Sequence, residues 1–482
     1  MIHLYRFKGL NIVLDTGSGA VHAVSDTVFG VLSLCGEKWE NNAGPPAGPP
    51  ADPPAGPHDG AANRAPHCDR SEATRPEEKT LREAVAEIDG LVAAGMLFSP
   101  EPQEEEASPE GRGAVIKAMC LHAAHDCNMR CAYCFADTGG FSGPRGLMPP
   151  GTGKAAIDFL LEQSGNRRNL EIDFFGGEPL LNFGVVKELV HYGREREKEH
   201  GKHIRFTLTT NGLLLDDGKT AFIDEHMDNV ILSIDGRPEV NDRMRKAVNG
   251  DGTYARIAGK LLRFAAARKE NASSPLYYVR GTFTKYNKDF AEDVRHLAGL
   301  GFENISIEPA VADADKPWAL TEDDLPELFA EYDRLADLVL ESEQEGNPVS
   351  FFHFKVDLDQ GPCVYKRASG CGAGAAYVAV TPEGDIYPCH QFVGEEGYRL
   401  GNVREAAGTL FQNRLSGMFE KAHIFAKDKC RECWAKYYCS GGCHANALRF
   451  EGSLMKPHRL SCALEKKRLE CAIGLAAKRA LA

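Results

Sequence analysis

The sequence lacks an excess of basic residues, long apolar runs and a recognisable targeting signal. Its 482 residues carry 56 Lys and Arg against 69 Asp and Glu, a net charge of −13. This balance argues against a nucleic-acid partner, which needs a broad basic surface. No apolar run reaches transmembrane length, and residues 1–6 lack the charged-then-apolar order of a signal peptide. We therefore expect a cytoplasmic protein without a membrane partner.

Cysteine is abundant, with 15 residues. Cytoplasmic thiols stay reduced, so these cysteines do not predict a disulfide framework. Metal ligation explains most of them better. Cys35, Cys68, Cys120 and Cys471 match no ligand pattern and are interpreted as incidental or buried thiols.

The chain is long enough for three domains, and two segments divide it. Residues 43–66 are mostly Ala, Gly and Pro and predict a disordered insertion. Residues 101–114 form an acidic linker. We expect an N-terminal module over 1–100, a second domain over 115–345 and a cysteine-rich domain over 346–482.

The N-terminal module combines short strands with an amphipathic helix. Residues 12–14 and 20–24 flank a Gly-rich turn and predict a hairpin. Apolar residues from Leu81 to Val92 share one helical face, and that helix is expected to end at Gly95. A winged-helix-like recognition module and a structural cap on the next domain remain equal alternatives.

The second domain alternates β-rich runs with helical stretches, which predicts an α/β fold with a parallel sheet, a partial barrel of six units. The expected strands are 119–123, 170–175, 204–209, 230–234, 277–283 and 305–307, and the clearest helices are 155–163, 185–199 and 290–300. In such folds the chemistry lies on the loops after the strands. Those loops carry the polar and Gly-rich motifs.

Cys127, Cys131 and Cys134 form a C-x3-C-x2-C run after the first of these strands. Three thiolates on one loop can hold three irons of a [4Fe–4S] cluster and leave the fourth iron open, whereas electron-transfer clusters normally take four cysteines. A zinc loop is the alternative, but zinc sites prefer two separated ligand pairs.

With Tyr133 before the last cysteine, this run resembles the signature of the radical S-adenosylmethionine (SAM) enzymes. The resemblance implies SAM bound at the open iron and cleaved to a 5′-deoxyadenosyl radical. It also implies that the second-strand loop, Gly176, Gly177, Glu178 and Pro179, holds the amino group of SAM. We expect contacts to the ribose or carboxylate from Asn211, Ser233, Asp235 and Arg245, with Arg280 as a further candidate; ordinary capping and pairing are the alternative.

The C-terminal third contains a second set of cysteines and a predicted hairpin over 377–387. A zinc ribbon is one interpretation of its C-x2-C element. The compressed spacing instead resembles the SPASM domain, a module that carries auxiliary [4Fe–4S] clusters. That resemblance implies one cluster on Cys430, Cys433, Cys439 and Cys462. It implies another on Cys371, Cys389 and Cys443, with Cys363 as an optional fourth ligand.

Three further runs, residues 1–5, 120–128 and 381–392, resemble the SCIFF maturases, which form thioethers in a small six-cysteine precursor peptide. The resemblance implies that the N-terminal module pairs with the leader of the peptide as an added strand. It also implies crosslinks from cysteine sulfur to the α-carbon of an acceptor such as threonine, and an electron donor such as flavodoxin or ferredoxin. No side chain is nominated as a general base.

Two rival functions remain at this point. A sulfatase-type maturase would oxidise a side chain of a peptide without forming a crosslink. A zinc-ribbon scaffold would bind peptides and catalyse nothing. The combination of the three-cysteine loop with the Gly176 loop argues against the scaffold.

Overall fold

The computed structural model describes residues 1–35, 77–102, 115–270, 277–358, 367–405 and 414–482. The predicted insertion at 43–66, nearly all of the predicted linker at 101–114, and Cys68 and Cys363 lie outside these residues. The chain forms two compact units. The first comprises 1–102, 358–361 and 476–482, and the second comprises 103–357 and 362–475.

The first unit is built on a three-stranded antiparallel sheet with the order β1-β2-β3. Its elements are β1 Ile2–Phe7, β2 Leu10–Asp15, β3 Val21–Val24, α1 Asp26–Cys35 and α2 Glu78–Ala93. Val13, Val28, Leu32 and Ile88 are fully buried between the sheet and the helices. The predicted hairpin and the second helix are confirmed, whereas β1 and α1 were not predicted.

The second unit is organised around one large, mostly parallel sheet. The strands of the unit, inside and outside this sheet, are β4 Ala118–His125, β5 Met129–Cys131, β6 Gly146–Leu147, β7 Asn169–Gly176, β8 His203–Thr210, β9 Asn229–Ser233, β10 Arg245–Ala247, β11 Tyr277–Phe283, β12 Asn304–Pro309, β13 Ser350–Phe351, β14 Tyr377–Val380, β15 Asp385–Tyr387 and β16 Gly401–Asn402. The order is β13-β12-β11-β9-β8-β7-β4-β14-β15-β16, with β6 paired to β4 and a separate β5-β10 pair. All six predicted barrel strands are present.

Helices follow most of the parallel strands. They are α3 Pro150–Gln163, α4 Phe183–Glu199, α5 Asp217–His226, α6 Pro238–Met244, α7 Tyr254–Glu270, α8 Phe290–Gly299, α9 Leu325–Gln344, α10 Arg414–Lys421, α11 Asp428–Arg431, α12 Lys436–Cys439, α13 His444–Glu451 and α14 Arg459–Ala480. In β7, Leu170, Ile172 and Phe174 are fully buried while Asp173 between them is only partly buried. This alternation directs the apolar side chains to one face of the sheet and leaves a polar inner face.

The strand β14 pairs in parallel with β4, with Tyr377 opposite Ala118 and Val380 opposite Leu121. The hairpin predicted in the cysteine-rich region is therefore present, but it extends the barrel sheet. That pairing was not predicted, because a hairpin motif in sequence specifies its own two strands and no third partner. Among the residues described, no helix has the length and apolar composition needed to cross a bilayer.

Candidate functional site

The three cysteines of the first motif lie just beyond the carboxyl end of β4. The middle of their loop forms strand β5, which pairs with β10 and places Cys131 opposite Arg245. The backbone N of Met129 lies 3.4 Å from the Cys127 sulfur. Burial raises the pKa of the Cys127 thiol to about 12, and the neighbouring Cys131 and Cys134 act in the same direction. The sulfur atoms of Cys131 and Cys134 thus lie close enough to that of Cys127 to interact with it electrostatically.

This donor set fits a cubane cluster. Within the part of the chain that the structure describes, no three His, Cys, Asp or Glu side chains are arranged around a single metal ion. Three soft thiolates suit iron–sulfur ligation, and the fourth iron then has no protein ligand from this loop.

The glycine loop after β7 packs directly against the cysteine loop. Gly177 N donates to Ala124 O at 2.8 Å, and Glu178 N donates to Asp126 O at 2.9 Å. A Cβ atom on Gly177 would lie 2.0 Å from Asp126 O, and one on Gly176, whose φ is +112°, would lie 2.2 Å from Ala124 O. These glycines are required first for close backbone approach to the cysteine loop.

Glu178 lies in a buried, hydrogen-bonded environment. Its carboxylate is 1% exposed. It accepts hydrogen bonds from Leu180 N at 3.1 Å, Thr210 Oγ1 at 2.8 Å and Asn211 N at 2.8 Å. Burial raises its pKa to about 7, and these donors oppose that effect. The carboxylate therefore joins β7 to the loop after β8, and Pro179 begins a buried 3₁₀ turn beside it. The contact of Glu178 with the SAM amino group stays a prediction.

Asn211 connects the loop after β8 to the cysteine loop. Its Nδ2 donates to Asn128 Oδ1 at 2.8 Å and lies 3.6 Å from the Cys127 sulfur. Its Oδ1 accepts from Leu213 N at 3.0 Å. Asn128 was not singled out in the sequence, although it lies next to a predicted ligand.

Tyr133, Asp235 and Arg245 form a polar triad beneath the cysteine loop. The Tyr133 hydroxyl lies 2.7 and 2.8 Å from the two carboxylate oxygens of Asp235. Arg245 donates to Tyr133 Oη at 3.1 Å and to Ser233 O at 3.2 Å. Burial raises the pKa of Asp235 to about 6, whereas the Arg245 charge opposes that shift. The structure brings together Tyr133, Ser233, Asp235 and Arg245, all four of which were predicted, and many of their polar atoms hydrogen-bond to one another.

The described C-terminal cysteines lie in two groups, and their roles as cluster ligands stay predictions. In the first, Cys371 and Cys443 both raise the pKa of buried Cys389, after burial itself. In the second, Cys430 and Cys433 act on Cys462 in the same way. A cavity of about 550 Å³ is lined by Cys430, Cys433, Cys439 and Cys462. Cys363 lies outside the described residues, so its role stays a prediction.

An aromatic contact that was not predicted joins the first cysteine loop to the C-terminal region. The ring centroids of Phe135 and His390 are 5.2 Å apart, and His390 is the same distance from Phe175. Phe135 follows Cys134 and His390 follows Cys389. Their adjacency to predicted ligands was the available signal.

Arg280, the further candidate, points from β11 toward the inner face of the sheet and forms an ion pair with Glu308 of β12. Glu308 also lies 3.2 Å from His353 Nε2, which is 2.9 Å from Ser306 Oγ. Arg280 therefore has the protein partner that an arginine inside a strand requires.

Sequence profiles match both halves of the second unit. The Radical SAM superfamily matches residues 123–297, and an iron-sulfur cluster-binding domain, SPASM, matches residues 371–434. The cysteine-type anaerobic sulfatase-maturating enzyme of Clostridium perfringens (strain 13 / Type A) is 27% identical over 347 residues, covering 68% of this chain and 88% of that protein. The mycofactocin maturase MftC of Mycolicibacterium smegmatis is 26% identical, covering 77% and 90%.

Solved structures share the fold. Native anSMEcpe with bound AdoMet and Kp18Cys peptide aligns with a TM-score of 0.60 and 22% identity, covering 74% of this chain and 96% of that one. Streptococcus suis SuiB bound to S-adenosylmethionine aligns with a TM-score of 0.53 and 14% identity, covering 96% and 98%. Radical SAM and SPASM domains use SAM and [4Fe–4S] clusters. The chain therefore combines a radical SAM domain with a SPASM domain and is homologous to anaerobic sulfatase-maturating enzymes and other peptide maturases.

Proposed function

We propose that the protein is a peptide maturase that joins cysteine sulfur to the α-carbon of an acceptor residue in a cysteine-rich precursor. Homologous proteins are named as maturases, and one related structure carries a bound peptide. The resemblance of residues 120–128 and 381–392 to SCIFF maturases supports the thioether product. The acceptor residue, such as threonine, and the number of crosslinks are part of the proposal.

The observation that carries this proposal is the contact between Phe135 and His390. Because these rings lie beside Cys134 and Cys389, a peptide on this aromatic surface would lie near both cysteine groups. Cys371, which is grouped with Cys389 and Cys443, is exposed. A substrate thiolate could then bind at the Cys371, Cys389 and Cys443 group while the acceptor α-carbon faces the SAM site.

The proposed reaction removes two hydrogens and two electrons from the peptide. One hydrogen leaves the α-carbon, the thiol proton is released, and one carbon–sulfur bond forms. SAM and the core cluster, when bound, supply the radical that takes the α-hydrogen. The chain's residues hold the cofactor loop, orient the peptide and exclude water. The auxiliary clusters, held by the C-terminal cysteines, would accept the second electron, and an external donor of the flavodoxin or ferredoxin type would supply the electron to the core cluster.

Thiol counting tests the proposal. The reconstituted enzyme is incubated anaerobically with SAM, reductant and a six-cysteine precursor, and the product is alkylated and weighed. A thioether former removes two hydrogens and one alkylatable cysteine per event. Loss of two hydrogens with every cysteine still alkylated would contradict crosslinking.

The second candidate is side-chain oxidation of a peptide without a crosslink. It is favoured by the 27% identity to the sulfatase-maturating enzyme over most of the chain. In that case hydrogen loss is accompanied by a new carbonyl, and the mass spectrum shows a hydrazine-reactive product. The same reaction mixture therefore separates the two activities.

We also propose that the N-terminal unit binds the leader of the precursor by strand addition. The sheet order β1-β2-β3 leaves β1 and β3 at its edges within the described part of that sheet. An edge strand offers unpaired backbone groups to an extended peptide.

A further inference from the structure

Lys427 is a fully buried lysine in the cysteine-rich region. It directly precedes α11, and only 1% of its surface is exposed. Lysine is almost never buried unless its charge is paired, because transferring an ammonium group out of water is costly. We therefore expect the Lys427 ammonium group to have an anionic partner.

The ammonium group is fixed between the two auxiliary cysteine groups. Lys427 Nζ donates a hydrogen bond to Gly441 O at 2.9 Å. Gly441 lies between Cys439, predicted for one cluster, and Cys443, predicted for the other. A Cβ atom at position 441 would lie 3.5 Å from Nζ, so the group sits closely against this backbone.

No carboxylate lies within ion-pair distance of Lys427 Nζ among the described residues. The charges that act on it most strongly come from Cys430, Cys439, Cys462 and Cys443. Burial lowers the pKa of Lys427, and these thiolates act in the opposite direction. Neutral thiols would leave the ammonium uncompensated, whereas clusters ligated by thiolates carry net negative charge. The buried cation thus matches anionic clusters in both cysteine groups.

We propose that Lys427 raises the reduction potentials of the auxiliary clusters, most strongly that of the cluster on Cys430, Cys433, Cys439 and Cys462. Reduction adds negative charge to a cluster, and a fixed positive charge in a low-dielectric interior stabilises the reduced state. Lys427 thereby prepares these clusters to accept the electron released by the substrate. The inference rests on the auxiliary clusters and does not depend on a thioether product.

The test compares four variants of the full-length, reconstituted protein by redox titration with electron paramagnetic resonance. Lys427→Met removes the charge, Lys427→Gln removes it but retains a hydrogen-bond donor, and Lys427→Arg keeps it. Lys429→Met is the matched control, because Lys429 lines the cavity formed by Cys430, Cys433, Cys439 and Cys462 but is exposed, where solvent screens its charge.

Both neutral variants are expected to lower the reduction equilibrium constant of at least one auxiliary cluster tenfold or more, about 59 mV for a one-electron couple. Lys427→Arg and Lys429→Met should stay within threefold of the wild type, and all iron contents should match. Unchanged potentials in a neutral variant that retains its iron would overturn the inference. So would a wild-type iron content near that of one cluster, whereas absent crosslinks with shifted potentials would count only against the proposed function.

Discussion

At the scale of single residues, Gly177 tests how the cofactor loop is held. Gly177→Ala places a Cβ atom against Asp126 O, a backbone atom that cannot rotate away. We expect a loss of stability of about 2 kcal/mol or more and displacement of Cys127. Iron bound by the core loop should fall while auxiliary iron is retained. The measurements are the thermal unfolding midpoint and iron per chain.

Gly184→Ala is the control for this change. Gly184 lies in the first turn of α4 with no atom near its missing Cβ. Alanine there should be neutral or stabilise by up to about 1 kcal/mol and leave the iron content unchanged. Equal iron contents in the two variants would refute the packing role assigned to Gly177.

Asp173 predicts a pH dependence of stability. Burial raises its pKa to about 7, although the charge of Arg280 opposes this. A carboxyl whose pKa is higher in the folded state stabilises the protein fully below its unfolded pKa, near 4, and this contribution is lost as the pH rises to about 7. Asp173→Asn should therefore flatten the decline of the unfolding midpoint between about pH 4 and pH 7.

The matched control for Asp173 is Asp323→Asn, since Asp323 is exposed in the turn before α9. Its pH profile should parallel that of the wild type. A profile for Asp173→Asn as steep as the wild-type profile would show that another group causes the pH dependence.

The residues that define the site were predicted to different extents. The two auxiliary cysteine groups were implied by the resemblance to the SPASM domain, since Cys371 and Cys443 are too far apart in the sequence for spacing alone to pair them. The partners of Asp235 and Glu178 were not predictable in the same way. Tyr133 reaches Asp235 across 102 positions, and Thr210 reaches Glu178 across 32. Such contacts depend on how strands are ordered in the sheet, which a single sequence does not specify.

At the scale of secondary structure, the packing of α3 against α4 depends on Gly153. A Cβ atom there would lie 2.4 Å from Cδ1 of Leu189, which is fully buried. Gly153→Ala should cost about 1–3 kcal/mol by overpacking. Gly151→Ala, two residues earlier in α3 and facing open space, should not destabilise. Thermal unfolding of both variants provides the comparison.

A double variant strengthens this test. Leu189→Ala alone leaves a cavity and should cost about 2–5 kcal/mol. Combined with Gly153→Ala, it should cost clearly less than the sum of the two single changes, because the new methyl group occupies part of that cavity. Strict additivity would show that the two side chains do not compete for the same space.

The barrel strands were predicted well because buried parallel strands give dense apolar runs bounded by turns. The limits of β11, Tyr277–Phe283, match the expectation. The short strands β13 and β16 were missed, since two residues carry no periodicity. The parallel pairing of β14 with β4 was also missed because it joins segments that are far apart in the sequence, such as Tyr377 with Ala118, and local patterns contain no information about such pairings.

At the scale of the whole molecule, leader recognition predicts separable binding and chemistry. A precursor without its leader should be modified with kcat/KM reduced at least tenfold, mainly through a higher KM. SAM cleavage in the absence of peptide should be unchanged, because the cofactor site lies in the second unit. Steady-state kinetics with both peptides provide the test, and an equal KM for the two would contradict strand addition by the leader.

Cluster content is the last whole-molecule prediction. Three cubane clusters require about twelve irons per chain. Replacing Cys127, Cys131 and Cys134 together by Ala should leave about eight irons, since the auxiliary cysteines lie on separate elements.

Cys471→Ser is the control. Cys471 is fully buried in α14, where its sulfur lies 3.7 Å from Asp333 Oδ1, and it is not grouped with other cysteines in the described chain. That variant should retain about twelve irons. A wild-type value near four would leave the core loop as the only cluster site and would remove the auxiliary clusters, and zinc in place of iron would exclude radical chemistry altogether.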